Sequence, residues 1–335
     1  MIRNEKAPGS LSRFMGLLIT TLRENGQYRT MRHYKSALNS YMRFRGNRDI
    51  ALGDISTEEM QSYEVYLRSV ARVCDNTSSF YLRILRAAYN KAVEKGLAPR
   101  RNSFGKVYTG IAKTRKRAIP VESVREIRRL GPLQGLTPKQ ELARDTFLMC
   151  FYLRGISFMD LAYLRKSDLR DGYLHYTRSK TGQRLSVRWE REMQEIVEKY
   201  RLQTASSPYL LPFLSCDKAS GGGAPRGQKR EGRQRNRQEE ARVYHNAETR
   251  LAYHLGKLGA RIGVKGRLTL YVARHSWATA ARDCQIPISV ISEALGHRSE
   301  ATTQIYLRSI QSSEVDDANA RLLAAIQEEG EDNEE

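Results

Sequence analysis

The sequence predicts a mainly α-helical protein of two domains, the second carrying a small antiparallel β-sheet. Three observations lead there. The chain has 335 residues, more than a single hydrophobic core of ordinary size accommodates. Most of it repeats apolar residues every three or four positions between capping residues and glycines, which is the helical period. By contrast, residues 173–189 (YLHYTRSKTGQRLSVRW) alternate apolar and polar side chains around a Lys-Thr-Gly turn, the pattern of a β-hairpin.

Taken in order, residues 1–10 read as a flexible arm. A first helix starts at Ser10 or Ser12 and stops at Asn25-Gly26, with Phe14, Leu17, Leu18 and Leu22 on its apolar face. A second, 30–45, buries Met31, Tyr34, Leu38, Tyr41 and Phe44 and turns Arg29, Arg32, Lys35 and Arg43 outward. Ser56-Thr57-Glu58-Glu59 is a capping box opening a third helix over Met60, Tyr63, Tyr66 and Leu67. Asp75-Asn76-Thr77 opens a fourth, 78–95, ended by Gly96. Residues 11–104 are therefore expected to form a four-helix domain, and 105–119 (GKVYTGIAKTRKRAI) a basic linker. The second domain, 120–312, begins with helices at 121–131 and 139–153, the latter strongly apolar and therefore buried. The hairpin and a helix at 190–200 follow. Residues 216–242 are Gly-rich, then Arg-rich, and too poor in apolar side chains to pack a core, so they read as a disordered basic insert. Helix returns at 248–259 on Leu251, Leu255 and Leu258, at 286–295 up to the stop at Gly296, and from Ser299-Glu300 onward. An amphipathic helix at 313–327 and an acidic tail at 328–335 complete the chain.

A net charge of +20 calls for a polyanionic partner, nucleic acid or an anionic membrane surface. Residues 1–118 hold 23 Lys and Arg against 9 Asp and Glu, so most of the surplus lies in the first third, as in a module that grips DNA. Arg32 and Lys35 of the second helix, and Lys113, Arg115, Lys116 and Arg117 of the linker, are the candidate phosphate contacts. The sequence contains no apolar run long enough to span a membrane, and MIRNEKAPGS lacks a signal-peptide core, so a cytoplasmic, nucleoid-associated place is expected. Cys74, Cys150, Cys216 and Cys284 lack metal-ligand spacing, and no GxxxxGK phosphate loop occurs. Neither metal nor cofactor is expected.

The chemistry concentrates in LYVARHSWATAARDCQIPISVISEALGHRSEATTQIYL, residues 270–307. A phenol, with a pKa of about 10, attacks a phosphodiester only where strong donors hold the charge that builds on the phosphoryl oxygens. Arginine suits that task because its planar fork gives two parallel hydrogen bonds to phosphate, and an imidazole adds a donor or proton relay. Arg274, His297 and Tyr306 come in that order, 23 and then nine residues apart.

ARHSWATA, ALGHRS and TTQIYL together resemble the C-terminal signature of the tyrosine recombinase (phage integrase) family, in which Arg-His-(Ser/Thr) precedes Leu-Gly-His and a nucleophilic tyrosine nine residues later. GISFMDLAYL and YVARHSWAT are similar to integrases and invertases of Bacteroides-type bacteria. The resemblance implies a C-shaped clamp built of a SAM-like core-binding domain and an α-rich catalytic domain. It implies Tyr306 as nucleophile, Arg274 and His297 on the phosphate, and Lys180, at the hairpin tip, as general acid for the leaving 5′ oxygen. Two slots depart from the pattern. Ser157 stands where relatives carry their first arginine, and Arg154, one helical turn earlier, is the expected substitute. Tyr271 stands in the usual histidine slot, keeping a donor but losing imidazole proton transfer.

The implied activity is site-specific recombination of double-stranded DNA at inverted-repeat core sites, through a 3′-phosphotyrosyl bond and a Holliday junction. It implies a homotetramer joined by exchange of the 313–327 helix and admits a host DNA-bending protein. Integration, excision, inversion and dimer resolution all remain open. So do three other readings: a type IB topoisomerase, a DNA-binding regulator of the same fold with a decayed site, and a basic membrane-surface protein.

Overall fold

The computed structural model describes residues 9–112, 118–214, 237–297 and 299–307, apart from the side chains at 237, 238, 305 and 306. Lys113, Arg115, Lys116 and Arg117, the helix expected at 313–327 and the acidic tail lie outside the described residues. The chain divides into two compact units, residues 1–115 with 235–241, and residues 116–234 with 242–335.

The first unit is the expected four-helix domain: α1 (Leu11–Glu24), α2 (Tyr28–Phe44), α3 (Thr57–Ser69) and α4 (Asp75–Glu94). Phe14 and Met15, Tyr34 and Tyr41, Met60 and Tyr63, and Leu82 and Tyr89 bring all four helices to one core. The core is rich in tyrosine, and its phenols find partners, as buried polar groups must. Tyr41 donates to Glu59 Oε1 at 2.7 Å, Tyr63 to Ser40 Oγ at 2.8 Å and Tyr89 to the Pro99 carbonyl at 2.7 Å. Ser56 caps α3 as the motif predicts, its side chain accepting from the Glu59 amide. α4 starts three residues earlier than expected because Cys74, not the Asp75-Asn76-Thr77 run, takes the N-cap position. Residues 105–112, assigned to the linker from sequence, are held by the first unit. The Asn76 side chain pairs with both the N–H and the carbonyl of Ala112, Tyr108 N–H donates to Glu64, and Val107 is buried.

The second unit contains α5 (Val121–Arg129), α6 (Pro138–Tyr152), α7 (Phe158–Ala162), the strands β1 (Leu169–Arg170), β2 (Tyr173–Thr177) and β3 (Arg184–Arg188), and then α8 (Arg191–Lys199), α9 (Arg237–Arg261) from residue 242 onward, α10 (Leu270–Asp283), α11 (Ile288–Ala294) and α12 (Glu300–Leu307). The sheet is antiparallel in the order β1-β2-β3, and the hairpin pairs Leu174 with Val187 and Tyr176 with Leu185. The two-residue β1 was too short to show in the sequence. α6 opens on a capping box of Thr137 and Gln140 and is the spine of the unit, with Phe147, Leu148, Met149 and Cys150 all buried. Consecutive buried positions mean that neighbours cover it on every side, α10 among them.

α9 begins eleven residues before the expected position 248. Tyr244, Ala247, Leu251, Leu255 and Leu258 form one buried stripe at spacings of three and four, and the Tyr244 ring stacks on Phe158 at 5.2 Å. Residues 237–242, assigned from composition to a disordered insert, are therefore helical; residues 215–236 lie outside the described residues. A small separate cluster, Ala278, Ala281, Ile291, Leu295 and Leu307, ties α10, α11 and α12 together. Among the described residues no helix is long and apolar enough to cross a membrane.

Candidate active site

α10 starts at a Thr269 cap and carries Arg274 into the interior, where the residue is only 6% exposed. Its guanidinium donates from Nη1 to the Gly155 carbonyl at 2.6 Å and from Nη2 to the Leu295 carbonyl at 2.6 Å, and Nη2 lies 2.9 Å from His297 Nε2. Leu295 is the C-cap of α11, so a cation meets the negative end of that helix. The close approach requires glycine at 155. Its φ is +75°, and a Cβ there would lie 2.6 Å from Arg274 Cγ and 2.9 Å from Arg274 Cα.

Gly296, with φ +64°, turns the chain after α11 and presents His297. The imidazole bridges two elements, with Nε2 on Arg274 and Nδ1 at 2.8 Å from Thr303 Oγ1 of α12. A guanidinium only donates, so Nε2 must accept, and Nδ1 carries the proton it gives to Thr303. Burial, and then the charges of Arg274, Arg178 and Lys180, push the His297 pKa down to about 4. The ring is neutral near pH 7. Thr303 is fully buried, and Tyr306 stands three residues further along the same helix. The Tyr306 side chain lies outside the described atoms.

The hairpin closes the other side. The β2 alternation that buries Leu174 and half-buries Tyr176 continues to Arg178, which is 9% exposed and donates to the Gly296 carbonyl. Arg274 and Arg178 thus sit on consecutive carbonyls, those of Leu295 and Gly296. Lys180 is exposed at the hairpin tip, near enough for its charge to act on His297. Asp160 braces the turn. Its Oδ1 accepts from the Ser179 N–H at 2.8 Å and its Oδ2 from Ser157 Oγ at 2.8 Å. Burial foremost, with the Asp160 charge, raises the Tyr176 pKa well above the ordinary phenol value, so this tyrosine stays protonated.

The structure thus brings Arg274, His297 and Lys180 together. It corrects the geometry expected for Arg154. Arg154 (φ +56°) and Gly155 form two consecutive left-handed residues that end α6, and Ser157 is the N-cap of α7. Positions 154 and 157 therefore do not share a helix face. Arg154 is half-buried, and its charge reaches Tyr176. Tyr271 is 55% exposed at the head of α10, its ring edge-on to His275 at 4.4 Å. On α2, Lys35 is exposed and Arg32 half-buried. Sequence reasoning missed Arg178. The signal was there, since the period of two that assigned Leu174 and Tyr176 to one face assigns Arg178 to it as well.

Residues 10–106 match the phage integrase SAM-like domain, and residues 134–312 match the phage integrase family. The chain is 26% identical over 201 residues to tyrosine recombinase XerA of Pyrococcus furiosus, covering 59% of this chain and 59% of that relative's length. A lambda integrase dimer bound to a COC′ core site has a similar fold, with a TM-score of 0.59, 17% identity, and coverage of 90% of this chain and 97% of that one. A lambda integrase tetramer bound to a Holliday junction gives a TM-score of 0.57 and 18% identity, covering 89% of this chain and 77% of the other. With both of its halves matched, the chain belongs to the phage integrase family of tyrosine recombinases.

Proposed function

We propose that the protein is a site-specific DNA recombinase that cuts and rejoins DNA through a covalent bond on Tyr306. The observation that carries this reading is the chain of contacts from buried Arg274 through half-buried His297 to buried Thr303, which ends one helical turn from Tyr306. In the first step Tyr306 Oη bonds to the scissile phosphorus, and the bond from phosphorus to the 5′ oxygen breaks. Lys180 delivers the proton that the leaving oxygen needs. The energy of the broken bond is kept in the phosphotyrosine, so a free 5′ hydroxyl from a second duplex reverses the step without an external energy source. An anionic phosphate is a stronger acceptor than the carbonyls Arg274 now holds, so the guanidinium has reason to turn toward substrate.

The role of the absent first arginine falls to Arg178 in this account. It is buried beside His297 and anchored on the carbonyl next to the one that holds Arg274. Half-buried Arg154 and exposed Tyr271 suit contacts to neighbouring phosphates. Two duplexes with two cleavages each make a tetramer the working unit, and the helix at 313–327 is the proposed element of exchange. The partner is double-stranded DNA with inverted-repeat core sites, with room for a host bending protein.

The test uses a nicked duplex bearing the candidate site and scores SDS-resistant protein–DNA adduct. Tyr306→Phe abolishes the adduct. Arg178→Lys lowers it on the order of 100-fold, the scale seen when one fixed donor to a transition state is lost, and Arg154→Ala lowers it less than tenfold. The reverse ranking would give the arginine role to Arg154. Tight DNA binding by the unmodified protein with no adduct on any site would favour a regulator that has lost catalysis.

A further inference from the structure

We infer that Thr303 is a positioning residue that fixes the tautomer of His297 and couples the imidazole to the helix of the nucleophile. The inference rests on the recombinase reading of the site. Thr303 Oγ1 lies 2.8 Å from His297 Nδ1 and is part of a fully buried residue. On the other ring nitrogen, Arg274 can only donate. The pair leaves one arrangement with every proton placed: Nδ1–H gives to Thr303, and Nε2 offers its lone pair.

Among the described residues, the charges that act on the ring are Arg274 from α10 and Arg178 and Lys180 from the hairpin, all cations, which disfavour a second ring proton. His297 therefore enters the reaction as an acceptor at Nε2. When Arg274 turns to the scissile phosphate, that lone pair takes the phenolic proton of Tyr306 as the bond from Oη to phosphorus forms. The 5′ oxygen leaves with the proton from Lys180, and the return step moves both protons back. This gives the proton-accepting role to His297 where Tyr271 occupies the usual histidine slot. Thr303 does not touch the reacting atoms. It holds the ring so that the accepting nitrogen is Nε2, and it does so from the helix that carries Tyr306, so a shift of α12 moves base and nucleophile together.

The experiment is 15N imidazole NMR of the full chain, with the His297 signal identified by its loss in His297→Gln, alongside adduct formation against pH. The expected result is a single Nδ1–H tautomer from pH 5.5 to 8 in the unsubstituted protein. Thr303→Val loses that single-tautomer pattern, slows adduct formation on the order of tenfold and displaces the acidic limb of the pH profile. Thr303→Ser, which keeps the hydroxyl, restores all three. An Nε2–H tautomer in the unsubstituted protein overturns the inference even if Thr303→Val fails to fold. A rate loss shared by Thr303→Val and Thr303→Ser with the tautomer unmoved also overturns it, since only packing is then at stake. The NMR arm stands without catalysis, so absence of adduct in the unsubstituted protein would count against the recombinase reading alone.

Discussion

Gly155→Ala is the sharpest perturbation of the site that replaces none of its catalytic side chains. Two effects add. Position 155 has φ +75°, and placing a Cβ in the left-handed region costs about 1–2 kcal/mol. The new carbon would also sit 2.6 Å from Arg274 Cγ and 2.9 Å from Arg274 Cα, against an ordinary carbon contact of about 3.5–4.0 Å. One neighbour is backbone, so rotating the side chain cannot relieve the clash. α10 must retreat by about 1 Å, an overpacking that adds about 1–3 kcal/mol. Together, about 2–5 kcal/mol corresponds to a fall in melting temperature of roughly 4–20 °C for a domain of this size. A displacement of about 1 Å at the reacting centre lowers catalysis on the order of 100-fold. Gly135→Ala is the control, since φ there is +74° but a Cβ would meet nothing within 4 Å. It carries the same backbone strain without the clash. The assay compares melting curves and adduct yield on nicked DNA, taken well below both melting points. If Gly155→Ala formed adduct within threefold of Gly135→Ala, the argument that this contact places Arg274 would fail.

Other expectations follow from the same geometry. Asp145, 1% exposed, accepts from Arg144, from Lys199 at 3.0 Å and from Tyr200 at 2.7 Å, so Asp145→Ala leaves the buried Tyr200 hydroxyl without its acceptor and removes the anion that Arg144 and Lys199 share. The expected loss is about 3–5 kcal/mol in a denaturant melt; a loss below about 1 kcal/mol would show the network to be dispensable. Arg32→Ala with Lys35→Ala should flatten the plot of log affinity against log salt by about two while leaving the melt within about 0.5 kcal/mol; an unchanged slope would remove α2 from the DNA interface. For His297, the folded pKa of about 4 lies below the ordinary 6.5, so the unfolded chain takes up the proton first as pH falls. Its contribution to stability is complete above pH 6.5 and is lost progressively down to about pH 4. His297→Gln should flatten the stability curve in that window, and an identical slope in both proteins would contradict the neutral, buried imidazole.

The parts of the site that lie close together in the chain were legible in the sequence. Arg274, His297 and Tyr306 fall within one stretch, and the glycine and caps that space them are local signals. The hairpin was equally plain, because alternation around Lys-Thr-Gly has few other meanings. What escaped depends on contacts far apart in the chain. Arg178 is held on the Gly296 carbonyl, 118 residues away, and the alternation that puts it on the inner face of the hairpin does not say what it meets there. The helical geometry expected around Arg154 did not hold, because Gly155 is compatible with a helix on paper. Only the close packing of α10 shows why the chain must turn there with two left-handed residues. Composition also misled at the start of α9, where charged residues hide the first turns of a stripe that Tyr244 and Ala247 already define.

The central claim is that Tyr306 becomes covalently joined to DNA. The most direct measurement is mass spectrometry of the trapped adduct after digestion with trypsin and nuclease. Cleavage after Arg298 releases SEATTQIYLR, in which Tyr306 is the sole phenol. The account predicts that this peptide carries the mass of a residual 3′-nucleotide, with the added mass located on Tyr306. The same added mass on any other residue, or an adduct that survives in Tyr306→Phe, would contradict it.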